Sequence, residues 1–284
     1  MSTVINTNVS AIVAQRNIAA TGAKFGRSVE RLSSGLRINR AADDAAGLAI
    51  SEKLRSQVKG YNQALRNVQD GISLVQTGEG ALSEIHAMLQ RLRELAVQAA
   101  NGTMTLEDRN AVGREAEALT EEIDRIATTT KFNGVSLLDG TGGTVSVLAG
   151  VDAGITINLV TDDVQVANID TASAIDDFQD FASYIDANDA QAKASTAIAA
   201  IDAEIVSLSA TRSKFGAVQN RLEHTSTSLA VAAENMAASE SRIRDIDIAA
   251  EMVEMTKASI LQQAGVAVLA QANQAPTAIL QLLR

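Results

Sequence analysis

Apolar side chains recur every three or four residues along most of the chain. The clearest run lies in the carboxy-terminal half, where Ile201, Leu208, Phe215, Leu222, Leu229, Met236 and Ile243 fall seven apart, with Ile198, Ile205 and Ala233 interleaved. Such a seam predicts a coiled coil or a long helix in a bundle. The first half carries a comparable run: Leu54, Val58, Tyr61, Leu65, Val68, Ile72 and Val75, then Leu82, Ile85, Leu89, Leu92, Ala96 and Ala99. At 1.5 Å per residue this predicts a rod of roughly 68 Å. Asp43 or Asp44 caps its start and Asn101-Gly102 ends it. Glycines at 60, 71, 78 and 80 lower helix propensity, so packing has to hold the rod straight. A shorter helix is predicted from about Leu106 to Ala127. It has an acidic start at Glu107-Asp108 and a stripe of Leu119, Ile123 and Ile126, and the β-branched run Thr128-Thr129-Thr130 weakens its continuation.

The period then changes to two. Val145-Ser146-Val147, Ile155 to Leu159 and Val164-Gln165-Val166 alternate, punctuated by Asp139-Gly140, Gly142-Gly143, Gly150 and Asp162-Asp163. These read as short strands in a small antiparallel patch. Phe178, Phe181, Tyr184 and Ile185 suggest a return segment, and a long helix restarts near Ala190.

The two ends repeat a weaker seam. Val4, Ala11, Ile18, Phe25 and Leu32 are seven apart; Leu261, Gly265, Val268, Ala272, Ala275, Ile279 and Leu282 alternate four and three. No charged residue precedes Arg16, and none lies within 258–283. Each end can bury one side against the other, which leaves a remaining surface that is still uncharged. Either the ends bind copies of the same protein and order when many subunits meet, or they fold back onto the rods in a closed four-helix bundle. Gly47 and Gly265 either permit close backbone approach or are tolerated at about 1 kcal/mol each. Pro276 either bends the terminal helix or is accepted near a frayed end. Arg31, Arg37, Arg40, Asp43 and Asp44 cluster between the first helix and the rod, as an inter-domain hinge held by polar contacts or as an ordinary capped loop.

Composition narrows this picture. Of 284 residues, 46% are hydrophobic but only 2% aromatic, with no Trp and one Pro, which favours closely packed helices over a core built on large rings. The fold class expected is mainly all-α: long antiparallel helical rods or coiled coil, a small antiparallel β-hairpin patch and a terminal two-helix domain. Lys and Arg number 24 against 34 Asp and Glu, a net charge of -10 without a basic block, so no nucleic-acid partner is expected. The absence of cysteine excludes disulfide and thiol chemistry. MSTVINTNVSAIVAQR lacks the basic start of a cleavable secretion signal. The amides of Gln262, Gln263, Gln271, Asn273, Gln274 and Gln281 argue against a membrane span. His86 and His224, the only histidines, lack metal-ligand spacing, and Asp139 to Gly143 lacks the lysine and helix of a phosphate loop. No enzyme, cofactor or metal is expected.

Several segments carry a family resemblance. Arg31-Leu32-Ser33-Ser34-Gly35-Leu36-Arg37-Ile38-Asn39, Ala42 to Ile50, Gln90 to Gln98, Lys131-Phe132-Asn133-Gly134, Phe215 to Arg221, Ser241-Arg242-Ile243, Ile260 to Gly265, Ala270 to Gln274 and the closing Leu282-Leu283-Arg284 together resemble bacterial flagellins. The resemblance covers roughly 1–140 and 195–284 and suggests a short form with little or no outer domain. It implies an inner filament-core domain from 1–42 and 245–284, whose helices pair and line the channel of a helical filament. It also implies a rod domain over 43–244, with a β patch near 132–168 and a reduced outer region near 140–190. On that plan the seam residues of the two ends, Val4, Ala11, Ile18, Phe25, Leu32, Leu261, Gly265, Val268, Ala272, Ile279 and Leu282, pack the filament core. The resemblance further implies a secreted subunit exported unfolded and added at the distal tip of the flagellum, with many copies of itself, an export chaperone, and cap and junction proteins as partners. Toll-like receptor 5 of animal hosts is implied as a ligand-binding partner, through Gln90, Arg91, Leu95, Gln98 and Glu115. The rival readings are a hook–filament junction protein and a secreted monomeric helical adhesin or effector.

Overall fold

The computed structural model describes residues 7–140, 143–152, 154–160 and 187–282. Helix α1 spans Val9–Ser34, α2 Ala45–Ala99 and α3 Leu106–Thr129. Two hairpins follow, β1 (Lys131–Phe132) with β2 (Val135–Ser136) and β3 (Thr144–Leu148) with β4 (Thr156–Val160); then come α4 (Ala187–Arg244) and α5 (Ile248–Leu282). The architecture is mainly helical, with two separate two-stranded antiparallel sheets. The strand expected at Val164-Gln165-Val166 and the return at Phe178, Phe181, Tyr184 and Ile185 lie outside the described residues. Among the described residues no helix is long and apolar enough to cross a membrane. The chain divides into two compact units, Met1–Val58 with Glu234–Arg284, and Lys59–Ala233.

In the second unit, the seven-residue seam of α4 is the buried one: Ile201, Leu208, Phe215, Leu222 and Leu229 all enter the core. They meet Val68, Val75, Leu82, Ile85, Leu89, Leu92, Ala96 and Ala99 of α2. The buried side of α2 is wider than its seam predicts, taking in Ala64, Leu74 and Leu95, while Tyr61, Leu65 and Ile72 are only partly covered. Three of the rod glycines accept a neighbour. A Cβ on Gly60 would meet Val151 at 2.7 Å, one on Gly71 would meet Val147 at 3.0 Å, and one on Gly78 would meet Phe215 at 2.6 Å. At these positions the lost propensity is exchanged for close packing, whereas Gly80 has nothing within 4 Å.

Helix α3 begins with a capping box. The Asp108 amide donates to Thr105 Oγ1 at 3.3 Å and the Thr105 amide to Asp108 Oδ2 at 3.1 Å. Its buried side is Arg109, Val112, Ala116, Thr120, Ile123 and Ala127, so of the expected stripe Ile123 sits at the centre, with Leu119 and Ile126 at the edges. The hydroxyls of Thr128, Thr129 and Thr130 donate to carbonyls four residues back as the helix ends. Asn133 (φ 49°) and Gly134 (φ 83°) then form the two-residue turn between β1 and β2.

Candidate functional site

In the first unit α1 and α5 pair antiparallel. Asn8 caps α1 by accepting from the Ala11 amide at 3.0 Å, and its Nδ2 donates to the Ala272 carbonyl at 2.8 Å. A Cβ on Gly265 would lie 2.8 Å from Ile18 Cγ1, and one on Gly22 would lie 3.9 Å from Gln262 Nε2. Near the other end Arg31 approaches Glu251 at 3.8 Å. The side of α1 turned inward carries Ala11, Ile18, Phe25 and Leu32, the expected series, and between them a second series of small residues, Ala14, Thr21 and Ser28. Small side chains at every second step let the two backbones approach closely, and Gly265 completes that contact; close approach is therefore its role.

The inward side of α5 differs from the expected one. Gly265 and Ala272 lie on it, but Met255, Ala258, Gln262 and Leu269 accompany them in place of Leu261 and Val268, which are 52% and 58% exposed. A reading by apolarity prefers Leu261 to Gln262 and cannot see that Gln262 lies beside Gly22. Val4 and the side chains of Ile279 and Leu282 lie outside the described residues. Helix α5 continues to Leu282, so Pro276 does not terminate it.

The consequence is an uncovered apolar surface. On α5, Val253, Ile260, Leu261, Val266 and Val268 are exposed, and on α1 Val9, Ile12 and Val13. Val253, Thr256, Lys257, Ile260 and Leu261 line a shallow groove of about 410 Å³.

The junction between α1, α2, α4 and α5 is a polar clasp. Helix α1 ends on Gly35 (φ 72°). Leu36 and Asp245 then form an antiparallel bridge; the Arg37 amide donates to the Arg244 carbonyl at 2.7 Å and the Ile246 amide to the Gly35 carbonyl at 3.2 Å. Arg37 Nη2 reaches the Ile243 carbonyl at 2.6 Å, Arg40 pairs with Glu30 at 2.9 Å, and Arg244 with Glu52 at 2.5 Å. Asp43 accepts from the amides of Asn39 and Arg40 and lies 3.9 Å from Arg31. Asp44 is the cap of α2, accepting from the Gly47 amide at 2.8 Å. Ile38, 1% exposed, plugs the turn, and a Cβ on Gly47 would fall 2.9 Å from its Cδ1, so Gly47 too is required by close approach. The backbone pairing of 35–37 with 244–246 joins segments about two hundred residues apart and has no sequence signal of its own. Replacing Asp44 by Ala is expected to cost about 1 kcal/mol and to speed amide exchange over residues 45–50; unchanged exchange there would remove the cap from the account.

On the rod, Arg91 reaches Glu115 of α3 at 2.7 Å and Glu94 at 2.9 Å; Gln90 and Gln98 are exposed beside it. Leu95 stands apart from this exposed set. It is 1% exposed within the α2–α3–α4 core, between the buried Leu92 three residues before it and Ala99 four residues after it. Arg93 pairs with Asp202 of α4 at 2.5 Å.

Several carboxyl groups are held below their ordinary values. Asp43 is lowered chiefly by the amides of Arg40 and Asn39, Asp108 by Thr105, Glu122 by Arg125, and Asp202 by the Arg93 guanidinium. A depressed folded value means that the unfolded chain binds more protons, so this stabilisation is present above the ordinary values of 3.8 and 4.5 and is lost as pH falls through the folded ones. Thermal midpoints should be flat from neutral pH down to that range and then fall. In Arg93→Gln the fall should be shallower, because Asp202 returns to its ordinary value; an identical acid profile would show that this pair contributes nothing.

Among the described residues no group of three or more His, Asp or Glu could hold a metal ion. The family model of the bacterial flagellin N-terminal helical region matches residues 5–142, and that of the C-terminal helical region matches 198–283. The chain is 51% identical over 281 residues to a flagellin of Halalkalibacterium halodurans, covering 99% of this chain and 100% of the relative. It is 47% identical over 289 residues to the flagellar filament 33 kDa core protein of Treponema phagedenis, with 99% and 100% covered. A crystal structure of Bacillus cereus flagellin aligns at 35% identity and a TM-score of 0.49, covering 62% of this chain and 94% of that one.

Proposed function

The chain belongs to the bacterial flagellin family and is a structural subunit of filaments, and from that premise we propose how its surfaces build one. The carrying observation is that the charge-free part of α5 from Ala258 to Ala272 pairs with α1 while Val253, Ile260, Leu261 and Val268 stay uncovered. Apolar surface of this extent finds a dry environment among sister molecules, through heterologous contacts that do not close on themselves and so propagate as a helix. Residues 1–42 and 245–284 form the inner domain around the channel, and 43–244 the surrounding rod, with the clasp of Arg31, Arg37, Arg40, Asp43 and Asp44 as the hinge between them. The subunit leaves the cell unfolded, assisted by an export chaperone, and adds at the distal tip beneath a cap; the extracellular filament serves swimming.

Adding purified monomer to short filament seeds tests this reading. Growth into filaments of many identical repeats is expected; short stacks would favour a junction protein, and persistent monomer a secreted adhesin or effector. We further propose that Gln90, Arg91, Gln98 and Glu115 present a surface for Toll-like receptor 5, supported by their joint exposure on α2 and α3. Arg91→Ala monomer should then activate the receptor about tenfold less than the parent chain, and a folded parent monomer that fails to activate it would refute this second reading.

A further inference from the structure

The sequence holds two Asn-Gly pairs, Asn101-Gly102 and Asn133-Gly134. Both are exposed, and they stand in opposite conformational settings. We propose that Asn101 is a site of spontaneous covalent modification, cyclising onto the Gly102 nitrogen to give aspartate and isoaspartate, and that Asn133 is protected from the same reaction by its turn.

The reaction needs a backbone nitrogen able to reach the side-chain carbonyl carbon one residue before it. Glycine at the second position places no Cβ in the way. At Asn101 the side chain is already folded over that nitrogen: its Oδ1 accepts from the Thr103 amide at 3.3 Å, closing an Asx turn around the Gly102 amide. The Gly102 N–H has no acceptor among the described residues, whereas the Thr103 N–H polarises the carbonyl under attack and would stabilise the oxyanion that forms on it. The segment between α2 and α3 carries no strand ladder. Its Asn101 and Met104 amides donate only to the Gln98 and Asn101 carbonyls, at 3.1 and 3.3 Å, so local rearrangement is cheap.

The step balances with water as sole co-reactant. The Gly102 amide loses its proton, and its nitrogen bonds to Asn101 Cγ. The bond from Cγ to the side-chain nitrogen breaks, and that nitrogen leaves as ammonia. Water then opens the five-membered imide at either carbonyl, giving aspartate or isoaspartate at 101.

Asn133 has the same chemistry and a different backbone. Its φ of 49° is fixed by the two-residue turn, whose flanks pair as Phe132 with Val135 and Lys131 with Ser136, and the Leu137 amide reaches back to the Thr130 carbonyl at 3.2 Å. Closing the ring there requires leaving the left-handed conformation and breaking that ladder.

Full-length folded protein incubated in mildly alkaline buffer, digested and read by mass spectrometry against synthetic isoaspartyl peptides, tests the proposal. Asn101 should convert about tenfold faster than Asn133, the difference being the local opening that the hairpin demands. In denaturant the two rates should converge, since the dipeptides are identical. Gly102→Ala should slow conversion at 101 and leave 133 unchanged. Equal rates in the folded protein, or faster conversion at 133, would overturn the proposal, as would a folded-state rate at 101 below its rate in denaturant.

Discussion

Phe215→Ala is expected to lower the unfolding free energy by about 3–5 kcal/mol, the upper range for deleting a buried aromatic ring. The ring is 1% exposed, at the centre of the α4 seam, and its Cε1 lies 2.6 Å from where a Cβ on Gly78 would stand. The cost of such a deletion depends on how far the surroundings can collapse. Here the facing position is a glycine on a continuous helix, with no side chain to move into the void. Denaturant unfolding of the monomer should show a lower midpoint with an unchanged slope. A loss of less than about 1 kcal/mol would mean that the cavity closes, contrary to a rod kept straight by ring-against-glycine packing. Adding Gly78→Ala to the truncated variant should recover part of the loss, whereas Gly78→Ala alone should destabilise, because the ring then has nowhere to go.

Gly265→Leu is expected to abolish filament growth on seeds and to destabilise the paired ends by about 1–3 kcal/mol, as overpacking does. The added Cβ would stand 2.8 Å from Ile18 Cγ1. Ile18 is β-branched and strongly restricted in its rotamer on a helix, so it cannot step aside cheaply. Forcing the helices apart also moves Ile260, Leu261 and Val268 relative to Val9, Ile12 and Val13, and the outward surface loses its shape. Light scattering after seeding checks the assembly effect, and helix content on heating checks the pairing. Ile18→Ala combined with Gly265→Leu should restore growth in part. Normal filaments from the single variant would show that close approach at this point is dispensable.

These two sites mark how far the sequence could be read. Phe215 is legible because one unbroken seven-residue series can only be a helix side, and its members from Ile201 to Leu229 are buried in α4, joined by Ala194, Ala197 and Thr211. Gly265 was legible as a seam position, but its neighbours on α5 were not. The inward side includes the polar Gln262, and the truly apolar Leu261 and Val268 face outward, so ranking by hydrophobicity rotates the helix. That inversion is physically consistent in a subunit whose outward side also has to be buried, by other copies. Leu95 was misplaced for a related reason: helical spacing groups it with Arg91 and Gln98, yet only the packing of α3 and α4 decides where the buried side ends. The clasp was visible only as a cluster of charges. Its backbone bridge between Leu36 and Asp245 depends on two distant turns meeting, which no local pattern encodes.

An image reconstruction of filaments grown from this chain tests the central claim most directly. In such a map α1 and α5 should remain paired through Ile18 and Gly265, with Val253, Ile260, Leu261 and Val268 covered by neighbouring subunits around the channel. Filaments in which these side chains stay open to water, or in which the two terminal helices are separated, would contradict it.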